Sequence, residues 1–112
     1  MRQVSIKDLE KNPESFMIST TWCPPCKQMK QIHKASDFAY LNYDEVFENG
    51  KFKTLDKKDQ NLEVQHYLNT IGIKFSHFPT FVEYKDGVYS IYNRYNPKEL
   101  MYKDLIEEAE VV

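Results

Sequence analysis

Phe16, Met17 and Ile18 follow one another with no polar residue between them, inside the short run Ser15 to Thr20. A strand that is apolar at consecutive positions is buried on both faces. It needs a layer of structure on each side, so it predicts an interior strand of an α/β/α sandwich. Two cysteines, Cys23 and Cys26, come directly after this strand.

The flanking segments supply the rest of that sandwich. Ser5 with Asp8 three residues later is a capping-box-like helix start, and Pro13 ends the segment. Val4 and its neighbours are expected to form a short edge strand. Lys27 to Ala35 reads as a helix with Met29 and Ile32 on one face, and Phe38 to Tyr43 as the next strand. Two strands joined by a helix make a parallel, right-handed unit. Val64, Tyr67, Leu68 and Ile71 have the spacing of a helix face, with Gly72 as a C-terminal cap. Thr80 to Tyr84 and Val88 to Tyr92 read as strands around Asp86-Gly87, a strong hairpin signal. Asn96-Pro97-Lys98-Glu99 opens a last helix, with Leu100, Met101, Leu105 and Ala109 available to the sheet. The expected fold is α/β: a three-layer sandwich around a mixed sheet of four or five strands, as a single domain over 1–112. The polar stretch Asp44 to Gln60 reads as an exposed loop or mobile excursion, an insertion at about 45–60.

The 112 residues are enough to bury a core without disulfide staples. The net charge is −2, from 15 basic and 17 acidic residues, and the missing basic excess argues against a nucleic-acid partner. No stretch approaches the roughly 20 apolar residues of a membrane helix. Met1 to Ser5 is polar from the start and has no apolar signal region, so a cytoplasmic location is expected.

In a reducing compartment a Cys-x-x-Cys pair suggests redox chemistry or metal binding. A zinc site is the weaker reading: there is no second pair, and His33, His66 and His77 lack the spacing of a finger. Cys23 stands where a strand hands over to a helix. Unpaired N–H groups and the helix dipole favour an anion there, which lowers a thiol's pKa. Cys26 lies about one turn on, and Pro25 preorganises that turn.

Trp22-Cys23-Pro24-Pro25-Cys26-Lys27 after a buried strand, with Phe78-Pro79-Thr80 following Gly72-Ile73-Lys74, resembles the thioredoxin family over nearly the whole chain. The resemblance implies the thioredoxin fold, with Cys23 as nucleophile and Cys26 as resolving thiol. It implies that Trp22 shapes the contact surface and that Pro79, in the cis form, bounds the site and keeps metal from the thiols. It also implies that the backbone of Phe78 pairs with an extended substrate strand. His77, two residues before Pro79, is a candidate for substrate contact. His33 and His66 are expected on helix surfaces. Several positions depart from the family pattern. Met17 stands where a buried Asp is usual, and Tyr40 replaces its partner Lys. Pro24 replaces a Gly and stiffens the loop. The helix after the pair is shorter and lacks a kinking proline, and Asn93 stands where a Gly is usual near the groove.

The expected function is thiol–disulfide oxidoreductase, reducing protein disulfides by dithiol exchange. No bound cofactor is implied beyond the redox-active Cys23–Cys26 pair. NADPH enters only through a thioredoxin-reductase-type flavoprotein. Expected partners are disulfide-bearing proteins, and a monomer is expected. The alternatives are an accessory binding module with little turnover, and a thiol oxidase or isomerase.

Overall fold

The doubly buried strand organises the molecule. The computed structural model describes residues 1–56 and 58–92. Five strands form one sheet: β1 (Arg2–Gln3), β2 (Phe16–Ser19), β3 (Ala39–Asn42), β6 (Thr80–Lys85) and β7 (Val88–Ile91). Their order is β1-β3-β2-β6-β7. β3 runs parallel to both β1 and β2, while β6 is antiparallel to β2 and to β7. The sheet is therefore mixed, with β2 in its centre.

Side chains alternate across a strand, and here both faces are covered. Phe16 and Ile18 join Leu9, Val64, Leu68 and Val82 beneath helices α1 (Ile6–Lys11) and α3 (Leu62–Thr70). Met17 points the other way and joins Met29, Phe81 and Tyr92 beneath helix α2 (Pro24–Ile32). Helices thus lie on both faces of the sheet, the three-layer α/β/α arrangement. All four residues of β2 are buried, so the consecutive apolar run has its physical cause in two covering layers.

Local signals fix where the elements start. Ser5 and Asp8 form a reciprocal capping box at α1, Oγ accepting from Asp8 N and Asp8 Oδ2 accepting from Ser5 N. Asn61 caps α3, its Oδ1 accepting from Val64 N. Asp86 and Gly87 have φ of 53° and 79°, as a tight two-residue hairpin turn demands.

Two expectations need correction. The helix after Cys23 begins at Pro24, three residues before the expected Lys27, and it ends at Ile32 rather than Ala35. Its first turn needs no intrahelical N–H donors, so both prolines fit there. Met29 faces the core, but Ile32 is 62% exposed at the helix end. The stretch from Asp44 to Gln60 is also not a plain loop. It contains an antiparallel hairpin, β4 (Glu45–Glu48) and β5 (Lys51–Thr54), which forms a sheet of its own. Asn49 and Gly50 make its turn with φ of 53° and 76°, and the Phe47 ring meets Phe52, directly opposite, edge-on at 4.9 Å. Asn-Gly between these strands is itself a hairpin signal. The helix expected from Asn96, with its core residues, and the Asn93 position lie outside the described residues.

Candidate active site

Cys23 is the N-cap of α2, and its Sγ accepts from the backbone N–H of Cys26 at 3.3 Å. Pro24 and Pro25 occupy the first two helical positions and are exposed. The two cysteines are joined as a disulfide with Cα atoms 5.2 Å apart. Cys26 is fully buried and Cys23 is 3% exposed. The pair is held at the point where the helix concentrates unpaired N–H groups. Such a pair can pass between a disulfide and two thiols, and a thiolate released at the cap position is favoured by the helix dipole.

Chain topology brings the distant Phe78-Pro79 segment to this corner. Thr80 opens β6 opposite Ile18, so Pro79 stands just beyond the end of the pairing that leads into Cys23. The Phe78–Pro79 peptide is cis, and Pro79 is buried. The Phe78 ring meets the Trp22 indole edge-on at 6.0 Å. Phe78 is also in ring contact with Tyr43 and Phe75. Trp22 is 55% exposed, so it presents an aromatic surface beside Cys23 rather than filling the core. The His77 side chain is exposed and lies 3.5 Å from Ser76 Oγ, while its carbonyl accepts from Thr80 Oγ1 at 2.6 Å. His77 thus braces the loop through its backbone. His66 is on the exposed side of α3. His33, expected on a helix surface, is instead the half-buried C-cap of α2, and burial lowers its imidazole pKa, helped by the nearby N-terminal amine.

One functional residue escaped the sequence reading. Asp44 fixes the loop that carries Trp22 and Cys23. One carboxylate oxygen accepts from Thr21 N at 3.0 Å, and the other accepts from Thr21 Oγ1. Nothing local marks an Asp at a strand end as a partner for a residue 23 positions earlier. The same region pins the following segment. Leu55 N donates to Asp44 O at 2.8 Å, and Asn61 Nδ2 donates to the carbonyls of Tyr43 and Glu45, each at 3.0 Å.

The far side of α2 shows what stands in place of the family's acid and lysine. Met17 is fully buried in an apolar cluster and lies in register with Tyr40. A cation is nevertheless present: Lys30 Nζ sits 4.4 Å above the Tyr40 ring and donates to Asn42 Oδ1 at 2.9 Å. Asn42 Oδ1 also accepts from Ser19 Oγ, and Asn42 Nδ2 donates to Glu45 Oε1 at 2.7 Å. Burial lowers the Lys30 pKa, against the opposing pull of Glu45 and Asp44. Burial raises the Tyr40 phenol, with Glu45 adding to the shift. The positive charge thus comes from the helix rather than from β3.

Comparison with known proteins agrees with this geometry. The chain is 33% identical over 69 residues to thioredoxin Asp f 29 of Aspergillus fumigatus. With the cysteine pair at the cap of α2 and the mixed five-stranded sheet, that likeness supports a thioredoxin-like chain. The match covers 62% of this chain, which spans about half (53%) of that relative's length. No family model matches the chain, and no solved structure matches it. Among the described residues no helix is long and apolar enough to cross a membrane. No group of three or more His, Cys, Asp and Glu among them could hold a metal ion.

Proposed function

We propose that this chain is a thiol–disulfide oxidoreductase that reduces protein disulfides by dithiol exchange. The observation that carries the reading is Cys23 at the cap of α2 with its partner Cys26 buried in the first turn. In the reduced form, the Cys23 thiolate attacks one sulfur of a substrate disulfide. One substrate thiolate leaves, and a mixed disulfide forms. Cys26 then gives up its proton and attacks Cys23 Sγ, expelling the second substrate thiolate. Two electrons pass to the substrate, two substrate thiols take up protons, and the Cys23–Cys26 disulfide is regained. A dithiol donor restores the pair, and the family resemblance points to a thioredoxin-reductase-type flavoprotein drawing on NADPH. Trp22 and Phe78 give the substrate segment an aromatic surface next to the reacting sulfur, and the Phe78 backbone offers it strand-like pairing. The reading includes a monomer acting in the cytoplasm.

Equilibration with a glutathione or dithiol buffer tests the direction of electron flow. A potential near about −270 mV supports a reductant, and one near about −120 mV overturns that direction in favour of an oxidant. Insulin reduction with dithiothreitol as donor tests turnover. Cys23→Ser is expected to abolish it, and Cys26→Ser to stop at the mixed disulfide. If the protein's biological activity survives Cys23→Ser, the reading fails and a binding role takes its place.

A further inference from the structure

A cleft of about 450 Å³ is lined by Trp22, the residue before Cys23, and by Phe78, the residue before Pro79, with neither cysteine in its wall. One wall is the aromatic surface of the site itself, Trp22 and Phe78, with Tyr43. The other belongs to the excursion, where Asp44, Asp56 and Asp59 bring three carboxylates to one opening. Thr20 contributes as well: it is 1% exposed, and its buried Oγ1 has no hydrogen-bond partner among the described residues.

We propose that this cleft receives a lysine or arginine side chain of the substrate polypeptide, one that lies close in sequence to the disulfide cysteine attacked by Cys23. The inference rests on the exchange reading above and names the substrate class of the same site. A long cationic side chain has an apolar stem and a charged head, and the cleft offers a surface for each. The stem lies along the aromatic wall, and the head meets the carboxylates and the faces of the rings. Asp56 and Asp59 are exposed and make no ion pair among the described residues. Lys57 and Lys58 stand between them in the sequence, and Lys58 is not part of the cleft wall. Asp44 supplies the third carboxylate, held in place by Thr21. An acidic or phosphorylated substrate segment would face three like charges in the same space.

The position of the cleft ties charge recognition to chemistry. Trp22 precedes Cys23 directly, so a side chain seated against its indole belongs to a substrate residue near the reacting sulfur. The excursion is pinned at both ends, through Leu55 to Asp44 and through Asn61 to Tyr43 and Glu45, so the acidic wall has a defined place beside the aromatic one.

The test uses the full chain in its reduced form and a series of short disulfide-bonded peptides. They are identical except for one residue on either side of the cysteine, which is Arg, Ala or Glu. The second-order rate of peptide reduction is followed by chromatography at low and at high salt. The Arg peptide is expected to react about tenfold faster than the Glu peptide at low salt in at least one position, with the ratio shrinking as salt rises. The double variant Asp56→Asn with Asp59→Asn is expected to bring that ratio below about threefold, by slowing the Arg peptide and speeding the Glu peptide. Equal rates for Arg and Glu at every position overturn the proposal, as does a ratio unchanged in the double variant. Both results leave the exchange reading standing as long as the Ala peptide is reduced. Failure to reduce even the Ala peptide overturns the exchange reading itself, and this inference with it.

Discussion

The redox corner has two walls, and they are built in opposite ways. The wall carrying Phe78 and Pro79 leads into β6, whose first three residues are buried in the central sheet and whose Phe81 packs on Met17 and Met29. The wall carrying Asp44 and residues 55–61 leads into and out of the β4–β5 ribbon, which has no buried residue and touches no strand of the main sheet in its pairing. Both hairpins close with the same turn chemistry, an Asx-Gly pair with both φ angles positive. What differs is the layer beneath them. One hairpin is held by apolar burial on a helix-covered face. The other is held by a few directed hydrogen bonds from Asp44, Glu45 and Asn61. A wall held by packing resists change, whereas a wall held by polar pins accepts a new sequence on its outer face. The proposed site for a substrate lysine or arginine is built on the second kind.

The largest expected effect separates the two walls by stability. Phe81→Ala should cost about 3–5 kcal/mol in urea unfolding, because Phe81 is 2% exposed in a covered layer. Phe52→Ala in the ribbon, where Phe52 is only half-buried, should cost less than about 1 kcal/mol. Similar losses at the two sites would break the comparison.

Next in size is the pin itself. Asp44→Ala removes two hydrogen bonds to Thr21 and should cost about 1–3 kcal/mol. Amide exchange should speed up at Thr21 and across 58–61, while β2 and β6 stay protected. Loss of protection throughout β2 would show that the polar wall belongs to the core after all.

The two turns offer a finer test. Gly50→Ala and Gly87→Ala each force a side chain into positive φ, at about 1 kcal/mol apiece. Gly87→Ala should lower the global midpoint of unfolding, because its hairpin is part of the central sheet. Gly50→Ala should appear only as faster local exchange in the ribbon.

The smallest expected effect is a pH dependence. Burial lowers the Lys30 pKa from its ordinary 10.5. Below the lowered value both folded and unfolded chains hold the proton. Between it and 10.5 only the unfolded chain does, so stability rises with pH through that window. Lys30→Met should flatten the rise, as seen in urea midpoints taken across the alkaline range.

Much of this was legible along the chain. Three consecutive apolar residues announced the two-sided strand, because only a doubly covered strand has no use for a polar face. Ser5 with Asp8, and Asp86 with Gly87, wrote their cap and turn into adjacent positions. Asn49-Gly50 carried the same kind of signal and was obscured by the lysines and aspartates around it, since a ribbon that stays exposed needs no apolar alternation. Ile32 fell on the expected helix face but lies exposed at the helix end. The two prolines fit the start of α2 because a first turn has no use for their missing N–H groups.

The sequence by itself determined the chemistry at hand: two sulfurs one helical turn apart, at a cap whose N–H groups favour an anion. It also determined the alternation that sends Met17 to one face of the sheet and Phe16 and Ile18 to the other. Those are local properties, written in residues that are neighbours in the chain. Only the tertiary structure decided that Asp44 holds Thr21, that Lys30 of the helix supplies the cation above Tyr40, and that three aspartates face Trp22 and Phe78 across a cleft. Each of these joins residues from separate elements, and their distance in space is set by the register of β2 with β3 and β6, not by their spacing in the chain.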